Sequence, residues 1–391
     1  MNKSIISFIV VSYAFFMMMV GTNVPTPLYP LYQQALHLNP MHITLIFSSY
    51  ILGLIPVLYF FGNVSDFWGR KFVLILATLF SILSMFIFSS ANTFTFLFIA
   101  RFIQGVSIGL VSGTASTYLQ ELLPDRKNKA SLITTLCASG GPAIGPLLGG
   151  IIGWFSSSSL STPFYILSIF LIIGLLSLMK VMETKKKKTS FNIIENTTIK
   201  GISKKAFYIY SIVGFIAWSV AGIYMSVLPS FITSLLHIKN IITPGIIIFL
   251  MFFFSMLSQI IFKNIDATKN SLIGVGSLLF AFFILIVGLY YKQLNIIIFS
   301  SIILGMGHGL SFMGSLKFIN QNTYDHNKAN VVSNYFMICY LGVGLSVLFI
   351  GLETLIIGLI TSISIFFIII LIISISLLVF MKKFTYNSIS L

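Results

Sequence analysis

The sequence predicts an all-α integral membrane protein of twelve transmembrane helices, arranged as two six-helix halves related by pseudo-two-fold symmetry. Three observations predict it. Of 391 residues, 57% are hydrophobic and 8% are charged, against about 25% charged in an ordinary soluble domain. Twelve apolar stretches each approach the roughly 20 residues that cross a bilayer as a helix. And a set of residues recurs at an offset close to 200, which divides the chain into two similar parts.

In order, the expected spans run roughly 5–24, 43–61, 72–90, 95–119, 131–153, 163–181, 207–232, 244–262, 271–290, 294–316, 329–352 and 355–380. Turn signals separate them, among them Asn39-Pro40, Ser90-Ala91-Asn92 and Leu123-Pro124-Asp125. Span one follows Lys3 and carries no small-residue cleavage site, so it is expected to be retained and not removed as a signal. It ends in Asn23-Val24-Pro25-Thr26-Pro27-Leu28-Tyr29-Pro30. Three prolines in six residues either end the helix or let it bend as a gate, and Leu228-Pro229 repeats the signal in span seven.

The net charge is +15, from 23 basic and 8 acidic residues. With the N-terminus inside, only Lys239 and Lys292 fall outside, and Arg101 alone lies deep within a span, Lys180 standing at the inside end of span six. The remaining basic residues sit in inside segments. That asymmetry places both termini in the cytoplasm. It also argues against nucleic acid as a partner, because no loop presents a folded basic face. Ile-, Lys- and Asn-rich usage points to a bacterial genome, hence a bacterial inner membrane. Cys137 and Cys339 fall inside spans and read as small buried hydrophobes.

The expected organisation is an N-terminal bundle over 1–181, a basic cytoplasmic linker over 182–206 and a C-terminal bundle over 207–391. The recurrences across it are Leu36-His37 with Leu236-His237, Asp66 with Asp266, Gly105 and Gly109 with Gly305 and Gly309, and Asp125 with Asp325. Six spans per half give both halves one orientation, with a substrate site at mid-depth between them.

Three motifs follow one another. The loop after span two reads Gly62-Asn63-Val64-Ser65-Asp66-Phe67-Trp68-Gly69-Arg70-Lys71. Its glycines permit a tight turn, and its carboxylate can meet the positive end of a helix. Span four carries Arg101, Gln104, Gly105 and Gly109. Span five carries Gly141, Gly145, Pro146, Gly149 and Gly150. Spacing by four puts Gly141, Gly145 and Gly149 on one face, where another helix can approach closely.

Together these resemble the signatures of the major facilitator superfamily, and the span-five motif resembles that of its drug–proton antiporters. The resemblance implies the major facilitator fold and alternating access. It also implies that Asp66 faces the start of span eleven near Ala329, and that the span-five glycines face span eight. Gly62, Asp66, Gly69, Arg70, Gly141, Gly145, Pro146, Gly149 and Gly150 are the expected gating residues.

Asp66, Asp125, Glu183, Glu195, Asp266 and Asp325 fall in inside loops, Glu121 at the end of span four, and Glu353 in the outer turn after span eleven. None is at mid-depth. Span one offers only Thr22 and Asn23 where many proton-coupled exporters of the family hold a membrane carboxylate. Attention passes to Arg101, Gln104, Asn23 and His308 as proton-coupling or substrate groups. Arg101 either ties helix ends and carbonyls together or serves a relay or a substrate. His308, between Gly307 and Gly309, is either a packing residue or a titrating one, and the glycines are expected to leave room around its ring.

The function expected is a secondary transporter, working as a monomer with a small-molecule substrate and a proton co-substrate in the lipid bilayer. Proton-coupled efflux of drug-like or metabolite compounds leads. Movement of an anionic or neutral metabolite is the alternative, and a membrane receptor or lipid-modifying enzyme the reading from another class. No HExxH, GxSxG or phosphate-binding loop is present. No catalytic residue, metal or cofactor is expected. The lack of a mid-depth acid favours neutral or anionic amphipathic substrates over cations.

Overall fold

The computed structural model describes residues 3–62, 64–184, 199, 201–324 and 328–389. Most of the expected linker, including Lys185–Lys188 and Glu195, lies outside the described residues, as do Asn63 and Asp325. Among the described residues fifteen α-helices follow in order: α1 Lys3–Gly21, α2 Tyr29–Ala35, α3 Pro40–Phe61, α4 Val64–Trp68, α5 Arg70–Ser89, α6 Phe94–Leu122, α7 Lys127–Phe155, α8 Thr162–Leu178, α9 Lys204–Ser226, α10 Leu228–Leu235, α11 Ile242–Ile261, α12 Ala267–Tyr290, α13 Leu294–Gln321, α14 Lys328–Ile357 and α15 Leu359–Ile389. Among the described residues, eleven segments are long and apolar enough to cross a membrane. The twelfth, span six, is the 17-residue apolar helix α8. Only helices satisfy their backbone within the segment, which is why an apolar chain of this composition forms nothing else in lipid.

Two expected spans are broken. Span seven is not continuous over 207–232: α9 stops at Ser226 and α10 starts at Leu228. Pro229 has no N–H for the carbonyl one turn back, and its ring crowds that carbonyl. Span one ends at Gly21, and a short 3-10 turn over Thr26–Leu28 leads into α2. Glu353 is also corrected. It lies inside α14 and not in the turn beyond it, because that helix runs on to Ile357.

The two halves repeat helix by helix, and the repeat extends to backbone detail. His37 and His237, which follow α2 and α10, both adopt left-handed φ, 51° and 54°. Gly105 seats α6 on the Tyr50 carbonyl of α3, and Gly305 seats α13 on the Met251 carbonyl of α11. Asp266 caps α12, accepting from Thr268 N at 2.9 Å and Lys269 N at 3.1 Å.

Within each half, the fifth membrane helix makes its most extensive contacts with two helices. The helix α7 packs on α1 and, across the halves, on α11; α14 packs on α9 and, across the halves, on α3. The seams α7–α11 and α3–α14 join the halves, and α1, α6, α9 and α13 lie between them. Arg70, Lys71, Lys204, Lys205, Lys263, Lys269 and Lys317 gather at one end of the bundle, here the basic face, with Lys239 and Lys292 at the opposite face.

Candidate functional site

The loop at the basic face is held by charges. Asp66 pairs with Arg70 at 2.6 Å, and the same guanidinium reaches Glu121 of α6 at 3.2 Å and donates to Ser65. The N-terminus of α5 is capped by Glu183, whose carboxylate accepts from Arg70 N and Lys71 N at 3.0 Å each. A carboxylate there balances the positive helix end. Gly69 fits this geometry for two reasons. Its φ is +97°, and an added Cβ would sit 2.5 Å from a Glu183 oxygen. Gly62 has ordinary helical φ, −54°. The side chain of Ala329, beside the expected neighbour of Asp66, lies outside the described residues.

Arg101 is 2% exposed. Its Nε donates to the Tyr29 hydroxyl at 2.8 Å, and its Nη1 to the Thr22 carbonyl at 2.5 Å and to Gln104 Oε1 at 2.7 Å. Gln104 in turn donates to the Gly21 carbonyl at 2.8 Å. Gly21 ends α1, so these carbonyls have no partner further along that helix. Arg101 and Gln104, three residues apart on one face of α6, supply the missing donors. The negative end of α1 also suits a cation. Tyr29, Phe47 and Phe88 surround the guanidinium at 5.4–5.9 Å. Asn23 donates to the Pro142 carbonyl of α7 at 3.4 Å. That carbonyl lacks its usual helix partner because Pro146 has no N–H.

The span-five glycines face a different helix from the one expected. Gly141 and Gly145 pack on α1, against Met19 and Val20, and Gly149 packs on Val24 just beyond the end of α1. The helix corresponding to span eight, α11, is met instead by Gly140, Pro146 and Gly150, a neighbouring face of α7. Successive residues turn about 100° around a helix, so Gly149 and Gly150 meet different neighbours. On the other side of this seam Gly245 lies so close to α7 that an added Cβ would be 2.6 Å from the Pro146 carbonyl oxygen.

His308 is 3% exposed, and its Nδ1 lies 2.9 Å from Ser255 Oγ of α11. Around it stand Trp218 at 5.1 Å, Phe252 at 6.1 Å and Phe312 at 6.2 Å, measured between ring centroids. Its glycine neighbours do not leave room for the ring. Gly307 lets α12 approach at Leu278, and Gly309 lets α11 approach at Ser255 and Ser258. His308 and Arg101 sit in opposite halves and share no bonding partner. Reading the chain alone missed Tyr29, Trp218, Ser255 and the capping role of Glu183. The proline-flanked tyrosine and the scarcity of tryptophan were the available signals for two of them.

A cavity of about 220 Å³ lies between the halves near the face opposite the basic one, beside Thr44, Ser226, Ser230, Phe231, Gly351 and Thr354. A larger one, about 530 Å³, flanks Trp68, Lys71, Phe72 and Glu183 at the basic face; the residues lining it come from the first half and, in Glu183, from the start of the expected linker.

Two pseudo-symmetric six-helix bundles, joined along two seams with broken first and seventh spans, define a multi-pass membrane transporter and not an enzyme. The chain belongs to the Major Facilitator Superfamily, whose family model matches residues 11–347. It is 26% identical over 210 residues to the quinolone resistance protein NorA of Staphylococcus aureus (strain Mu50 / ATCC 700699), a match covering 53% of each chain. An uncharacterised MFS-type transporter of Methanocaldococcus jannaschii is 26% identical over 188 residues, 47% of this chain and 48% of that one. The chain thus spans about half the length of the curated relatives it matches. Among solved structures, a bacterial homologue of the human lysosomal transporter Spinster, inward-facing and unoccupied, superposes with a TM-score of 0.77 at 14% identity, covering 99% of this chain and 98% of that one. The nucleoside transporter NupG gives 0.77 at 14% identity, covering 97% and 99%.

Proposed function

We propose that this transporter exports small amphipathic molecules, neutral or anionic, from a bacterial cytoplasm in exchange for protons. The basic face and both termini are cytoplasmic, by the charge asymmetry. The observation that carries the reading is the glycine-lined α7, seated on α1 within its half and on α11 across the seam. A seam built on glycine and backbone carbonyls is held by close packing alone, so rocking of the halves can open it without breaking ion pairs. The likeness to a quinolone resistance protein over half the chain supports efflux.

In this mechanism Arg101 and Gln104 hold the broken end of α1, and Asn23 ties that end to α7, so the three move as one body. Asp66, Arg70, Glu121 and Glu183 fix the basic-face ends of α4, α5 and α6. His308, well inside α13 and bonded through one nitrogen only, is the group that takes the proton. An intramembrane ionisable residue is a functional group by default. The second reading, movement of a neutral or anionic metabolite without drug specificity, is favoured by the same lack of a mid-depth acid in the sequence.

Proteoliposomes with an imposed proton gradient test both. Proton-driven flux of neutral or anionic aromatic compounds, lost in His308→Ala, is expected. Unchanged flux in His308→Ala removes His308 from the coupling, and flux strongest for a permanent dication overturns the substrate class.

A further inference from the structure

The aromatic cluster around His308 holds more polar groups than it pairs. Trp218 on α9, Phe312 on α13, and Phe336 and Tyr340 on α14 are each half-buried. Trp218 is the hub, 5.1 Å from His308, 5.8 Å from Phe312 and 5.7 Å from Tyr340. Trp218 Nε1 and His308 Nε2 are both shielded, and neither has a hydrogen-bond partner among the described residues.

On its far side His308 is engaged through Nδ1. Gln259 Nε2 donates to Ser255 Oγ at 3.4 Å, and Ser255 Oγ lies 2.9 Å from His308 Nδ1. Ser255 Oγ keeps a second lone pair beside the one Gln259 uses, so Ser255 can donate to Nδ1 or accept from it. When it donates, neutral His308 carries its proton on Nε2, and protonated His308 carries one there in either case. The indole N–H is a donor in every state. Two neighbouring rings therefore offer two N–H groups, with no acceptor supplied to either. Unpaired donors in a low-dielectric interior are unfavourable. The close seating of Gly305 and Gly309 on α11 holds this arrangement rigid.

We propose that Trp218 and His308 form the oxygen-binding end of the substrate site. They take a carbonyl or carboxylate oxygen of a planar aromatic substrate, whose ring lies among Phe312, Phe336 and Tyr340. This deepens the export reading and rests on it for the substrate's presence here. It selects for an acceptor oxygen, because an organic cation cannot accept from either N–H and has only the ring faces to meet.

Calorimetric titration of the full chain in detergent, without a gradient, tests it with three probes of one ring system: 2-naphthoate, 2-naphthamide and 2-naphthyltrimethylammonium. The carboxylate and the amide should bind at least tenfold more tightly than the ammonium. Trp218→Phe, which keeps a ring and removes the N–H, should weaken naphthoate about tenfold and leave the ammonium unchanged. His308→Gln, which keeps an N–H near the Nε2 position, should retain more naphthoate affinity than His308→Phe. Equal binding of the ammonium, an equal loss for all three probes in Trp218→Phe, or no rescue by glutamine overturns the assignment. Absent proton-driven flux with this binding pattern intact defeats only the export reading. Flux with the pattern absent defeats only the site.

Discussion

Gly245→Ala puts a single methyl group into the seam between the halves. The new Cβ would lie 2.6 Å from the Pro146 carbonyl oxygen and 3.3 Å from the Pro146 carbonyl carbon, where ordinary contact begins at 3.4 Å. The obstacle is backbone and cannot rotate away, so α11 and α7 must separate by several tenths of an ångström. Overpacking of this kind costs about 1–3 kcal/mol. Here the strain exists only in the conformation that holds the seam shut. Taking about 1.4 kcal/mol, the open arrangement gains about tenfold in population. The assay is alkylation of a cysteine placed at Ser230, which lines the cavity between the halves, with Cys137 and Cys339 replaced by serine. Gly245→Ala should speed labelling about tenfold. Gly276→Ala, where an added Cβ meets nothing within 4 Å, should leave it unchanged. Equal rates in the two variants would refute the view that close packing at this glycine holds the seam.

Other outcomes follow from the same geometry. Arg101→Lys keeps the charge and loses the fork, leaving the Thr22 carbonyl or the Tyr29 hydroxyl unpaired; a loss of about 3 kcal/mol is expected, read as a lower unfolding temperature in detergent. Glu183→Ala uncaps α5 and should cost about 1–2 kcal/mol, seen as faster amide exchange at Arg70 and Lys71, while Asp266→Ala, which uncaps α12 in the other half, should leave exchange at those two residues unchanged. His37→Val and His237→Val force a β-branched residue into left-handed backbone and should each destabilise by about 1–2 kcal/mol, whereas glycine at either position should be neutral or better. A difference between the two histidines would count against the structural repeat.

Much of the fold was legible because lipid enforces it. A helix that crosses the membrane announces itself by length and composition, and broken helices by prolines such as Pro25, Pro27 and Pro229. The recurrence of Leu36-His37 as Leu236-His237 was readable too, and both histidines share one unusual backbone conformation. The direction each helix face takes was not readable. In lipid, the outside of a bundle is as apolar as its packing interior, so no polar stripe marks which side is which. The family resemblance implied span eight for the Gly141–Gly145–Gly149 face, and nothing in the chain itself marks that this face packs on α1 and the residues just after it.

The sequence by itself determined a membrane protein of twelve apolar segments, its repeat, its charged end and the residues that deserve attention. Tertiary structure alone decided what those residues touch. It bonded Arg101 to the end of α1, gave Glu183 to the N-terminus of α5, and brought Trp218 beside His308, 90 residues away in sequence. Spans follow from the transfer of single helices into lipid, a property of each segment alone. Partners follow from how helices rotate about their own axes against one another, which depends on contacts among all of them at once.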